Sequence, residues 1–267
     1  MRAATLCCLC WPQPHCLQAT DRPAARDPFD VAKADFAKVK ILKSGSGKNY
    51  IGVGVISSSP LNVVNPVDGK VIWYTWQNMG AEARSVTDYC GIHLTDMVLV
   101  DTDNDGGDDI VFGTQFNWVC ALDADNGATK WKITVGDAVT VMKVMDDPLT
   151  GQKRILVATE AGELYMLDRT GKKLNMITFG SEISDIEILT FPDKKRNDIL
   201  LSTRDGRIII CDHNFLIRAS FMVENVPLKG IVMGPEVGKT HQFFCASDKK
   251  VHFLQYRPYF KRMSRQF

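Results

Sequence analysis

Along most of the chain, apolar runs of four or five residues alternate with short polar turns. Runs at 110–113, 155–158 and 199–202 each end in a small residue: Gly113, Ala158 or Ser202. A polar turn follows in the later copies ("EAG" at 160–162, "RDG" at 204–206, "SDK" at 247–249), and then a second run at 164–167, 208–211 or 251–254. A second turn carries Asp, Gly or Asn ("DADNG", "DRTG", "DHN"), and a last run closes the unit at 131–135, 174–177 or 217–221. A further run precedes each unit, at 97–100, 140–144, 185–189 and 230–233. Runs of this length, bounded by Asp-Gly and Asn-Gly turns, predict strands joined as hairpins. No long stretch has a helical period.

The pattern repeats. The small residues Gly113, Ala158, Ser202 and Ala246 are spaced by 45, 44 and 44 residues. An earlier copy reads "NYIGVGVISSSPLNVVNPVDGKVIW", and its Gly69 and Trp73 precede Gly127 and Trp131 by 58 residues. An insertion, including 77–91, therefore separates the first two copies. Four short antiparallel strands in about 44 residues make one blade of a β-propeller. A lone four-stranded sheet cannot bury both faces, whereas blades stacked about an axis cover one another. The expected fold is all-β, a β-propeller of four-stranded antiparallel blades. About five blades are recognisable, roughly at 38–76, 92–137, 138–180, 181–221 and 222–264. Residues 1–35 precede this domain. An open edge strand is an aggregation hazard, so closure into a small ring is expected.

Two copies carry a more specific signature. "NPVDGKVIW" (65–73) and "DADNGATKW" (123–131) share an Asp or Asn, a Gly four residues later and a Trp four after that. This resembles the repeat of pyrroloquinoline-quinone-type propellers, the quinoprotein alcohol dehydrogenase-like superfamily. The resemblance implies that Gly69 and Gly127 shape the turn between the third and fourth strands. It implies also that Trp73 and Trp131 dock on the neighbouring blade. Asn175 stands at the Trp position of the next copy, and the last two copies have no Trp. The superfamily's quinone enzymes use more blades and a longer chain, and no vicinal cysteine pair occurs in the body of this one. Pyrroloquinoline quinone is therefore not expected, and the resemblance points to a non-catalytic binding scaffold. A quinone-dependent dehydrogenase, or a truncated relative of one, is the alternative.

Between two apolar runs lies "DTDNDGGDD" (101–109), with five aspartates. Asp101, Asp103, Asp105 and Asp109 alternate about a turn that Gly106 permits. Hard oxygen donors in this number suit calcium. An EF-hand would need Glu at the twelfth place, where Phe112 stands, and would have helical flanks. The stretch is similar instead to the calcium hairpin of integrin α-subunit propellers, the FG-GAP repeat. That resemblance implies Asp101, Asp103, Asp105 and Asp109 as side-chain ligands, Gly107 as a carbonyl ligand, and Asp108 turned to solvent. A spread, solvated acidic turn is the plain alternative, since unit charges 4 Å apart in water repel by only about 1 kcal/mol. The equivalent hairpins at 146–154, 191–198 and 234–242 lack the alternating acids, so a single structural site is expected.

With 32 basic and 31 acidic residues the formal net charge is +1, which does not suit a nucleic-acid binder. No apolar run is long enough for a membrane span. The five histidines show no metal spacing, and no nucleophile motif appears. Cys211 and Cys245 sit among apolar neighbours and read as core. Residues 1–30 hold four cysteines and an Arg2-led apolar run that faintly resembles an export signal. A calcium site and that run favour an extracytoplasmic place, and unpaired core cysteines favour the opposite. The expected partner is a protein or glycan, met by loops on one propeller face.

Overall fold

The computed structural model describes residues 36–43, 47–55, 61–74, 94–191, 195–235 and 240–257. The signal-like segment, the N-terminal cysteines, Cys90, the 77–91 insertion and residues 258–267 lie outside the described residues. Nineteen strands and no helix occur among the described residues. The first sheet holds β1 (Phe36–Lys43), β2 (Asn49–Val55), β3 (Asn62–Val64) and β4 (Val71–Tyr74). The second holds β5 (Leu94–Val100), β6 (Asp109–Thr114), β7 (Trp118–Leu122) and β8 (Thr129–Thr134). The third holds β9 (Val139–Asp146), β10 (Lys153–Thr159), β11 (Glu163–Asp168) and β12 (Lys173–Thr178). The fourth holds β13 (Ile183–Phe191), β14 (Arg196–Thr203), β15 (Arg207–Asp212) and β16 (Ile217–Met222). The fifth holds β17 (Leu228–Met233), β18 (His241–Ser247) and β19 (Val251–Tyr256). In every sheet the strands pair antiparallel in chain order, as a meander. The molecule is a β-propeller.

The sheets stack through their first strands, with β5 beside β1, β9 beside β5, β13 beside β9 and β17 beside β13. Alternating side chains on each strand would normally leave one face wet. Here β6, β7, β10, β11, β14 and β15 are buried on both faces along most of their length, because a neighbouring sheet covers each side. Val111, Val119 and Ala121 of the second sheet pack with Met142, Ile155 and Val157 of the third. Leu156, Leu164 and Met166 pack with Ile186, Ile199 and Leu201 of the fourth. Each such buried aliphatic side chain contributes roughly 1.5–3 kcal/mol. The small repeat marker is explained at Gly113, where an added Cβ would lie 2.4 Å from Val139 Cγ1 of the next sheet. At the corresponding places Ala158 and Ser202 fit, fully buried.

Two bulges recur at fixed places. The first-to-second strand register shifts at residues 95, 140, 184 and 229 of the second to fifth sheets. Beyond the first bulge, Asp96 Oδ2 accepts a hydrogen bond from Met142 N of the next sheet at 2.9 Å, and Asp185 Oδ2 accepts one from Ile231 N at 2.8 Å. Those amides sit on strand edges that no backbone carbonyl reaches, so the carboxylates tie one blade to the next. The second bulge falls early in the fourth strand, at Ile72, Lys130, Leu174 and Arg218. A bulge re-aims the extra side chain, and this one sets the candidate site.

The fifth sheet is more exposed than the second, third and fourth. Along β18 burial alternates instead of being continuous, and Val232 is 66% exposed, Val251 71% and Phe253 50%. A first sheet folded back against it would cover these side chains, and among the described residues it does not. Three strands of this blade, β17, β18 and β19, lie among the described residues.

Candidate cation-binding hairpin

Residues 101–108 connect β5 to β6, and their carboxylates hold the backbone of the turn first. Asp101 accepts hydrogen bonds from Asn104 N at 2.5 Å and Gly106 N at 3.0 Å. Asp103 accepts one from Asp105 N at 3.3 Å, and Asp105 one from Gly107 N at 2.7 Å. Asn104 (φ 72°) and Gly106 (φ 88°) take the left-handed backbone that this winding requires. Asp109 opens β6 and is buried, and Thr102 donates to it from both its amide and its hydroxyl.

The winding gathers carboxylate oxygens of Asp101, Asp103 and Asp109 within 4.8 Å of one another. Asp105 is not in that group, since its carboxylate serves the Gly107 amide. The centre belongs to Lys130, a residue the spacing of acids does not reveal. Its Nζ lies 2.6 Å from Asp103 Oδ2, 2.7 Å from Asp109 Oδ1, 2.8 Å from Asp109 Oδ2 and 3.9 Å from Asp123 Oδ2. Lys130 is the bulged residue of β8, which turns its side chain along the sheet to the hairpin. The lysine holds Asp103 below the usual carboxylate range. Burial pushes Asp109 above it, against the pull of Lys130 and Thr102. Burial alone would lower Lys130, but the two carboxylates hold its ammonium above the ordinary value. The donor set suits a hard cation, and the charge it gathers around is an ammonium.

Asp108, expected in solvent, instead pairs with the first sheet. Its Oδ2 accepts from Lys43 N at 3.1 Å, and its amide donates to Lys43 O at 2.6 Å. The reason is geometric: β1 ends at Lys43 beside the hairpin, with backbone groups that need partners. On the other side Arg169 Nη1 donates to Asn104 Oδ1 at 2.7 Å. The hairpin is therefore tied to the blades before and after it.

The tryptophans lie at blade junctions. Trp73 Nε1 donates to Ala124 O of the second sheet's turn at 2.8 Å, and Trp131 Nε1 to Arg169 O of the third's at 3.0 Å. Asn175 makes the same link, Nδ2 to Asn214 O at 3.2 Å, so the degraded copy keeps the hydrogen bond without the ring. In the fourth sheet Ala219 takes the place, with no polar group. Gly69 (φ 70°) and Gly127 (φ 72°) close turns in which each donates its amide back, to Asn65 O and Asp123 O. Cys120 and Cys211 are buried, unpaired thiols pushed by burial up to about 12, far from nucleophilic use. At the opposite end of the stack, a cleft of about 430 Å³ opens between Thr95, Thr140, Glu160, Glu182 and Arg204.

Comparison with known proteins fits this geometry. The family model described as outer membrane protein assembly factor BamB matches residues 57–176 and, overlapping, 115–213, more than half of the chain. The chain belongs to this family. No curated protein is significantly similar in sequence. Among solved structures, BBS1N in complex with ARL6DN is similar with a TM-score of 0.60 and 10% identity, over 85% of this chain and 66% of that one. The computationally designed Ika8 protein is similar with a TM-score of 0.57 and 13% identity, over 81% of this chain and 57% of that one. The WD40 β-propeller domain of Doa1 gives a TM-score of 0.55 at 12% identity, over 78% of this chain and 61% of that one. The chain thus spans less than two thirds of the length of these structures. At such identities the likeness establishes the fold. No helix among the described residues is long and apolar enough to cross a membrane.

Proposed function

We propose that this propeller is a non-catalytic binding scaffold whose 101–109 hairpin is a calcium-responsive clip. The observation that carries the reading is the gathering of Asp101, Asp103 and Asp109 oxygens within 4.8 Å of one another, with the Lys130 ammonium against two of them, on a loop tied to both neighbouring blades. Calcium takes oxygen ligands and tolerates irregular geometry. In this reading it replaces the Lys130 ammonium, which swings to the adjacent Asp123 or to solvent. The loop then holds the hairpin face of the second and third blades in one shape for a protein or glycan partner. Two comparisons lean the same way. The matching family is described by a role in assembly rather than by a reaction. One structural neighbour was solved in complex with ARL6DN.

Calorimetric titration of calcium into metal-free protein tests this. The expected result is one saturable site, lost in Asp103→Ala, with a higher melting temperature in the wild type once calcium is bound. Absence of heat at millimolar calcium in the wild type would reduce the hairpin to a lysine-neutralised turn and remove the clip.

A further inference from the structure

Where the third and fourth sheets meet, a cavity of about 200 Å³ opens beside the turn between β9 and β10. Met145, Met166 and Leu174 give it an apolar wall, and Asn175, His213 and Asn214 a polar one. Leu174 is the bulged residue of β12 and Asn175 the residue after it, the places that Lys130 and Trp131 take one junction earlier. There the space is filled: the Trp131 ring lies on Gly171, and Lys130 reaches the acids of the hairpin. At the later junction Phe215 stands where Gly171 stood, its amide donating to Asp212 O as that of Gly171 does to Asp168 O. Phe215 is buried in the same core cluster as Met145 and Met166. The ring at this seam therefore enters from the other side. Among the described residues, the outer space that Trp131 and Lys130 fill is left as the cavity.

We infer that this cavity seats the tryptophan side chain of a protein partner. The inference deepens the scaffold reading by naming what the partner presents, and it rests on that reading for the partner being a protein. The size suits a ring, since an apolar cavity of about 150 Å³ already binds benzene. Methionine sulfur packs favourably against ring edges, and the unbranched side chain adapts to what enters. Arg154 and Asp147 also line the cavity but are paired, Nη2 to Oδ2 at 2.9 Å, so neither charge calls for a counter-ion. A guanidinium so held still offers its flat face to an aromatic ring. One hydrogen-bonding group is left over. Asn214 Nδ2 donates to His213 Nε2 at 3.2 Å, so the neutral imidazole carries its proton on Nδ1. That Nδ1 is buried and has no hydrogen-bond partner among the described residues. A buried N–H needs an acceptor, and the peptide carbonyl beside an inserted side chain supplies one, as a bare aromatic molecule does not. Indole is preferred to phenyl because Trp131 shows which ring this space takes.

Methionine-methyl NMR of the full chain, titrated with N-acetyl-L-tryptophanamide, reads this directly. Ring currents are expected to shift the Met145 and Met166 methyl signals saturably, with a dissociation constant of about 1 mM. N-acetyl-L-leucinamide should bind at least tenfold more weakly. Asn175→Trp, which supplies the ring from within the chain, should abolish binding. Leu174→Asp puts a charge at a position already 42% exposed, so it keeps the fold, and it should weaken binding at least fivefold. A wild type without saturable shifts overturns the inference, whether the cavity is closed or already filled by the chain's own residues. Binding that both variants leave intact overturns it too. Equal binding of 3-methylindole, which has no peptide group, would assign the cavity to a free aromatic molecule and overturn the assignment to a protein. Calcium enters none of these arms. A hairpin that binds no calcium therefore leaves the cavity reading standing, and an empty cavity leaves the clip standing.

Discussion

Single side chains decide how closely the blades of this propeller approach. Trp131 spans a junction by one hydrogen bond to Arg169 O, and its ring lies on Gly171. An added Cβ at Gly171 would sit 2.7 Å from Trp131 Cε3, on backbone with φ +82° that L side chains rarely adopt. Gly171→Ala is therefore expected to cost about 2 kcal/mol from combined strain and overpacking. Trp131→Phe, which keeps a ring but not the donor, should cost about 1 kcal/mol. Urea denaturation, with unchanged dependence on denaturant, would show both. The sequence made Trp73 and Trp131 legible because large aromatics recur at a fixed offset from a turn glycine. Asn175 was legible only as a departure, since spacing cannot show that an amide reproduces the indole hydrogen bond. Asp96 and Asp185 gave no signal at all. Their role depends on a bulge and on the next blade's amide, and neither is local in sequence.

At the scale of elements, hairpins and bulges place the charge. "DTDNDGGDD" announced a wound loop gathering four acids, and the structure brings three of them, Asp101, Asp103 and Asp109, together. It did not announce Lys130, because the lysine reaches the loop only through the bulge between Ala121/Trp131 and Leu122/Thr129 in the β7–β8 register. Asp105 and Asp108 were misplaced for a related reason. Alternation predicts which way a side chain points, but backbone amides of the loop and of β1 compete for the carboxylates. The fourth and fifth sheets show another charged junction. Tyr256 Oη donates to Asp198 Oδ2 at 3.1 Å, and Asp198 also pairs with Arg196. Burial, then the Asp198 charge, pushes the Tyr256 phenol from 10.0 up to about 12. A group whose pKa rises on folding stabilises the fold below its unfolded pKa and loses that contribution as pH rises through the folded one. The stability from this junction should thus be complete below about pH 10 and gone above about pH 12. Ultraviolet titration of the phenolates should show a tyrosine ionising near 12 that is missing in Tyr256→Phe. A wild type whose tyrosines all ionise near 10 would contradict the contact.

At the scale of the molecule, the 44-residue period carried most of the fold. It showed the blade, its strand count and the stacking logic, because each copy must repeat the same burial. It could not show whether the last blade meets the first. That depends on the wedge angle between sheets, which no single repeat encodes. The hairpin is where fold and proposed function meet, and Lys130 is its hinge. In metal-free protein, Lys130→Met leaves the buried Asp109 without its counter-charge and should cost about 2 kcal/mol. The same change removes calcium's competitor. The measurement that tests the account most directly is calcium affinity of Lys130→Met against wild type, by calorimetry at constant ionic strength. Binding tightened about tenfold, with the lost stability restored by calcium, is the predicted result, equal to about 1.4 kcal/mol of removed competition. Equal or weaker binding in Lys130→Met would contradict the account and leave Lys130 as the hairpin's own cation.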